Sequence, residues 1–182
     1  PIKVGLSPII IDLMKRGVIS ALALNGAGVI HDFEVASFGK TSEDVASSLH
    51  DGTYGMARET GQFLNRAITE GVRQGMGLGR AVGEHMARAG LPYAELSLLV
   101  QAYRMDIPVT VHMAMGTDII HMHPDADGAA MGEGSLRDFR LFAALAAQIE
   151  EGVFINMGSA VILPEVFLKA VNVARNLGHP VS

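Results

Sequence analysis

The chain has 182 residues, 49% of them hydrophobic and 18% charged, with a formal net charge of -5, so it is too apolar for a disordered polymer and long enough to bury a core as one domain. An acidic chain without a Lys/Arg run lacks the basic face of a nucleic-acid binder. The absence of cysteine excludes disulfides, thiolate metal sites and cysteine nucleophiles, and no apolar stretch approaches the roughly 18 residues that mark a membrane span.

Residues 7–16 read as a short helix, with Ser7 as N-cap, Pro8 at the first helical position and Gly17 as the stop. The apolar run 18–24, bounded by Gly17 and Asn25-Gly26, reads as a strand buried on both faces. A glycine-rich turn at 26–28 and a mixed polar segment, HDFEVASFGK, follow. Thr41-Ser42-Glu43-Asp44 signals a helix start over 41–50. Met56, Phe63, Leu64, Ala67, Ile68 and Val72 have helical spacing over 55–74, and Gly90-Leu91-Pro92 separates two more helices at 79–89 and 93–104. Residues 107–113 read as a second strand with Pro108 near its start, and 117–124 as a loop or short element. A helix over 134–150 takes Ser135 as its cap, with Arg137, Asp138 and Arg140 on its solvated side. A third strand is predicted at 152–157, and Pro164 opens a last helix that ends at Asn176, before Gly178.

Strands alternating with helices predict an α/β fold with a parallel sheet covered by helices, over 1–182 as one domain. The helical stretch 41–104 breaks that rhythm, as an insertion or as a layer packed on a neighbour. The high apolar content predicts that part of the surface is buried against another subunit. Ile2, Val4 and Leu6 follow Pro1 as if already structured, and the chain stops just past a helix, so a longer parent protein is expected. With no signal peptide, a cytoplasmic location is the expectation.

In an open parallel sheet, ligands bind at the carboxyl ends of the strands. The three predicted strands end in Asn25-Gly26-Ala27-Gly28, in Met115-Gly116-Thr117-Asp118 and in Asn156-Met157-Gly158-Ser159. Glycines there let a ligand approach the backbone, and exposed N–H groups can hold phosphate. Gly26-x-Gly28 follows a strand, as a dinucleotide fingerprint does, but His31 stands at the third glycine position. Two other glycine motifs lack their context. Gly39-Lys40-Thr41 has Glu34 where a phosphate-binding loop needs its first glycine, and no strand precedes Gly75-Met76-Gly77-Leu78-Gly79. Four histidines, His31, His112, His121 and His123, lie at or near strand ends beside Asp32, Glu34, Asp118, Asp125 and Asp127. Imidazoles and carboxylates in such a cluster suit a polar ligand, and zinc, iron or manganese are one option. His121-x-His123 on extended backbone places both rings on one face. Asp118 and His121 equally suit an amine and its proton.

The runs LALNGAGVIHDFE (22–34), IPVTVHMAMGTDIIHMHP (107–124) and GVFINMGSAVILPEVFLKAVNVARNLG (152–178) resemble the deoxyhypusine synthase family, most closely its bacterial deoxyhypusine-synthase-like branch. The resemblance covers most of the chain and is weakest over 41–104. It implies a Rossmann-like domain in a homotetramer, with NAD and the active site at subunit interfaces. It also implies oxidation of spermidine by NAD and transfer of its aminobutyl group to a protein lysine through an enzyme imine. On this resemblance Asn25, Gly26, Ala27 and Gly28 form the first NAD loop, Asn156, Gly158 and Ser159 line the nucleotide, and Asp118 binds an amine of the polyamine; the leading expectation for this chain adds His121 and His31 as groups that handle the amine's protons. The chain departs from the family at three points. His31 replaces the family's catalytic glutamate, Val166 and Phe167 stand where paired histidines occur, and the imine-forming lysine segment is not in this chain; Lys3, Lys15, Lys40 and Lys169 do not match it. The sequence leaves two alternatives: a metal-dependent hydrolase using His31, His121, His123 and an aspartate, in which a metal acidifies water, and a non-catalytic nucleotide-binding relative.

Overall fold

The computed structural model describes residues 1–41 and 45–181. The capping signal at Ser42, Glu43 and Asp44 lies outside them. The described residues form eight α-helices and two short strands, an α/β arrangement in which helix predominates. Helix α1 (Ser7–Lys15) buries Ile11 and Met14 and is stopped at Gly17, whose φ of 70° suits glycine. Its N-cap is Leu6 rather than Ser7; Ser7 is buried inside the first turn and its Oγ has no hydrogen-bond partner among the described residues.

Strands β1 (Leu22–Asn25) and β2 (Val109–His112) pair in parallel, in register from Leu22 opposite Val109 to Asn25 opposite His112. Both are shorter than the apolar runs that contain them. β2 is fully buried and β1 half-buried.

The predicted turn at 26–28 is instead the first turn of α2 (Gly26–Phe38), and the mixed polar segment is the body of that helix. Asn25 caps it, its Oδ1 accepting from Gly28 N–H at 2.9 Å, and Gly39 ends it in the left-handed conformation. The polar residues that mask the helical pattern are turned inward: Asp32 and Glu34 are both buried. Asp32 accepts hydrogen bonds from Ser97 Oγ at 2.5 Å, Leu98 N–H at 2.7 Å and Leu99 N–H at 3.1 Å. It thereby caps α6 (Leu98–Arg104) from another helix.

Helices α3 (Val45–Asp51), α4 (Arg58–Arg73) and α5 (Leu78–Ala89) precede a 3-10 turn at Ala94–Leu96 and α6. Leu64, Ile68 and Val72 of α4, Val82 and Met86 of α5, and Leu98–Val100 of α6 share one core with Val29, Val111 and Met131. The helical stretch is therefore continuous with the core around the strands. Close approaches need glycine: a Cβ on Gly71 would meet Ala81, and one on Gly79 would meet the Val109 carbonyl of β2.

Helix α7 (Gly128–Ala146) begins six residues before the predicted start, capped by Asp127, which accepts from Ala130 N–H at 3.0 Å. Ser135 is interior to it and accepts from Met113 N–H at 3.2 Å, just past β2. The side predicted to be solvated is partly buried. Asp138 is 2% exposed and accepts from Gly79 N–H at 2.9 Å and Val111 N–H at 2.8 Å, tying α5 to β2. Arg137 donates to the carbonyls of Val72, in the last turn of α4, and of Met76, in the link to α5; Arg140 is exposed.

The predicted third strand is absent. Residues 152–157 carry no regular secondary structure, and the sheet has two strands among the described residues. The segment is anchored by Phe154, which stacks on Phe167 of α8 (Ile162–Asn176) at 3.8 Å and joins Phe142 of α7. Val153 and Ile155 are exposed. An apolar run of this length fits a strand, a helix segment or an anchored loop equally well by pattern.

Candidate site at the carboxyl ends of β1 and β2

The parallel register places Asn25 and His112 side by side at one end of the sheet. From there β1 passes directly into α2, so the first-turn N–H groups of α2 and its positive dipole end lie at that edge. β2 runs into Met113–Thr117 and then a 3-10 turn over Ile119–Met122. The turn is pinned from below: Ile120 is fully buried, and Asn65 Nδ2 of α4 donates to its carbonyl at 3.0 Å.

Pinning Ile120 fixes Asp118 and His121 on either side of it. Asp118 is the N-cap, and its backbone carbonyl accepts from the His121 backbone N–H at 3.0 Å. His121 Nδ1 accepts from Asp118 N–H at 3.2 Å and from Gly116 N–H at 3.1 Å, where Gly116 has a φ of 90°. The two side chains are 7% and 6% exposed, and His121 Nε2 stands 4.0 Å from Asp118 Oδ2. That separation exceeds a hydrogen bond, and Nε2 has no partner among the described residues. Burial raises the Asp118 carboxyl above the usual carboxylate range, against the smaller pull of His121 and Thr117.

The same carboxylate lies against the start of α2. A Cβ on Gly26 would collide with it, so only glycine admits Asp118 here. Gly26 and Asp118, read from the sequence as parts of separate strand-end loops, thus meet at one point.

The other residues marked by the sequence are placed elsewhere or engaged. His31 is half-buried in α2. Burial lowers its pKa, Glu34 opposes that shift, and Lys3 and the amino group of Pro1 add to it; Asp118 is not among the charges acting on it. His112 is 4% exposed, bonded through Nε2 to Thr110 Oγ1 at 3.0 Å and packed on Phe142, and burial pushes its pKa down to about 4. It is a neutral core histidine. His123 does not share a face with His121, because the chain between them is a 3-10 turn and not extended. Its ring lies against Gly61 of α4, with Nε2 2.9 Å from the Gly55 carbonyl. Asp127 is the α7 cap, and Asp125 is exposed. Asn156 Nδ2 donates to the Ser159 carbonyl at 2.9 Å, Ser159 Oγ accepts from Leu163 N–H at 3.1 Å, and Gly158 lies against Pro1. Their contacts thus serve the start of α8 and the amino end of the chain. Among the described residues no three His, Asp or Glu side chains come together as a metal-ligand set, and no helix is long and apolar enough to cross a membrane.

Two functional-looking carboxylates escaped the sequence reading as structural groups. Asp32 and Asp138 are buried at the N-termini of α6 and α5, and burial raises both to about pH 6 against the backbone N–H groups that favour the charged form. Ser97, with an apolar run behind it, signals the α6 start; nothing in sequence signals that Asp32, 65 positions earlier, completes it.

Set against protein-family models, curated proteins and solved structures, the chain matches none of them.

Proposed function

We propose that the chain is a NAD-dependent transferase resembling deoxyhypusine synthase, acting on a polyamine-like amine at the carboxyl ends of β1 and β2. The observation that carries the reading is the meeting of Gly26, at the amino end of α2, with the buried Asp118 carboxylate after β2. A helix opening directly at the end of a parallel strand supplies uncommitted N–H groups to an anionic cofactor. Gly26 and Gly28 leave the backbone approachable, and Asn25 commits its Oδ1 to a single N–H. NAD, when bound, supplies a hydride acceptor.

The residues of this chain do the positioning. Asp118 offers a carboxylate in a poorly hydrated position, where its attraction for a cationic or hydrogen-bond-donating substrate is strong. Its raised pKa brings proton uptake closer to neutrality. His121, oriented by two backbone donors, faces the same space. In this reading His31 lies outside the inner site, and Asn156, Gly158 and Ser159 border it. The exposed Val153, Ile155 and Val161 support a homo-oligomer, the homotetramer of the resembled family.

Calorimetric titration of NAD, with and without spermidine, tests the proposal. Saturable NAD binding that tightens with spermidine is expected. Absence of NAD binding in both titrations overturns it.

A further inference from the structure

We infer that β1 is a contact strand between subunits, pairing antiparallel across a twofold axis with β1 of a second copy of this chain; the inference rests on the homo-oligomer proposed above and names its interface. The sheet ends at β1, which has β2 on one side and no strand on the other among the described residues. The Leu22 N–H donates to the Pro108 carbonyl at 3.0 Å, so in the parallel ladder Leu22 and Leu24 turn their backbone polar groups toward β2. Across a trans peptide the C=O and N–H point in opposite directions. The N–H and C=O of Ala23, the Asn25 N–H and the Ala21 C=O therefore point away from β2. None of these four groups has a hydrogen-bond partner among the described residues, and every residue of β1 is partly exposed.

Free edges are normally guarded by a charge, a proline or a bulge. Residues 18–25, VISALALN, contain no charge and no proline, and the register from Leu22 to Asn25 is unbroken. The outward groups are complementary to themselves. With the twofold axis at Ala23, the two Ala23 residues exchange both of their hydrogen bonds, and each Asn25 N–H meets the Ala21 C=O of the other copy. The result is an isologous four-stranded sheet. Four hydrogen bonds alone do not offset the freedom lost on association, so apolar side chains beside the edge must add to them. Val18, three residues before Ala21, is 64% exposed, and the exposed Val153 and Ile155 flank Phe154, which packs with Ala23 on the cluster around Phe142. The apolar surface assigned above to the oligomer thus continues onto β1. Because the edge is uncharged, two copies of a chain with a net charge of -5 meet there without local repulsion.

The test is amide hydrogen exchange of the full chain, resolved to single residues, at protein concentrations above and below the association midpoint read by sedimentation equilibrium. The Ala23 and Asn25 amides are expected to exchange at least about tenfold more slowly above the midpoint, while the Leu24 amide, held by β2, stays protected on both sides of it. Ala23→Pro is sedimented beside wild type. Proline there removes only an outward N–H and leaves the ladder to β2 intact, so the variant, folded by its circular dichroism, is expected to lose association across β1. An oligomer in which the Ala23 amide exchanges as fast as in the monomer overturns the inference and leaves the homo-oligomer standing, as does a folded Ala23→Pro that associates like wild type. A wild type that is monomeric throughout overturns both; an Ala23 amide protected in that monomer would mean that another segment of the chain covers the edge. Should Ala23→Pro not fold, the exchange rates of wild type decide alone.

Discussion

Asp32 shows how much of this fold depends on single buried polar groups. It has no exposed surface, and three donors from the start of α6 converge on it. Replacing it by Ala leaves Ser97 Oγ and the N–H groups of Leu98 and Leu99 without their acceptor. The expected loss is about 3 kcal/mol, read as a lower urea midpoint at unchanged slope. Asp32 and Asp138 also have a definite pH signature. Each is raised to about 6 in the fold from 3.8 when unfolded, so between those values the native state binds more protons. Their contribution is therefore most favourable below about pH 4 and is lost as pH rises through 6. His112 acts oppositely in an overlapping window: its pKa falls from 6.5 to about 4 on folding, so its neutral burial weakens the fold as pH drops below 6.5. Unfolding His112→Gln and wild type at pH 7 and pH 4.5 separates the two. The variant should gain stability relative to wild type at the lower pH, and an equal difference at both values would rule out a neutral buried imidazole.

Helices with clean apolar spacing were legible in the sequence. Leu64, Ile68 and Val72 announce α4, and Pro164 with Gly178 brackets α8, because these signals lie within a few residues of each other. Elements whose polar residues are satisfied over long distances were not. α2 reads as a polar segment because Asp32 and Glu34 are turned into the core, and α7 starts at Gly128 because Asp127 caps it, while Ser135 inside the helix serves Met113. The strand predicted at 152–157 fails for the converse reason: Phe154 finds aromatic neighbours on α7 and α8 and not a strand partner, while Val153 and Ile155 stay exposed. The site was half legible. Gly26, Asp118 and His121 are visible as strand-end residues, but His31, His112 and His123 belong to three other environments. Helix-to-strand contact yields a direct prediction. In Gly79→Ala the new methyl group meets the Val109 carbonyl, which is backbone and cannot rotate away. A loss of about 2 kcal/mol, near 6 °C in Tm for a domain of this size, is expected. An unchanged Tm would mean that α5 and β2 are not in such contact.

Over the molecule as a whole, one core joins the helical stretch to the strands, while a second cluster of Phe142, Ala143, Ala146 and Ala170 holds α7 to α8. Apolar side chains beyond this second cluster, including Val153, Ile155, Val161 and Leu168, remain exposed. In the oligomer proposed above they are covered. Sedimentation equilibrium should then give a multiple of 19.3 kDa, and Ile155→Glu should shift the chain toward monomer; a wild type that sediments as a monomer would remove that part of the proposal. The two cores leave the carboxyl edge of the sheet as the place where a glycine helix start, a buried acid and an unpartnered imidazole nitrogen meet. The most direct measurement of its role is NAD titration into wild type and Gly26→Ala, because the added methyl group strikes the Asp118 carboxylate. Binding in wild type, weakened at least about tenfold in a variant that remains folded, is the predicted result. Equal affinity in the two proteins, or no binding to wild type, would contradict the placement of a nucleotide at this edge.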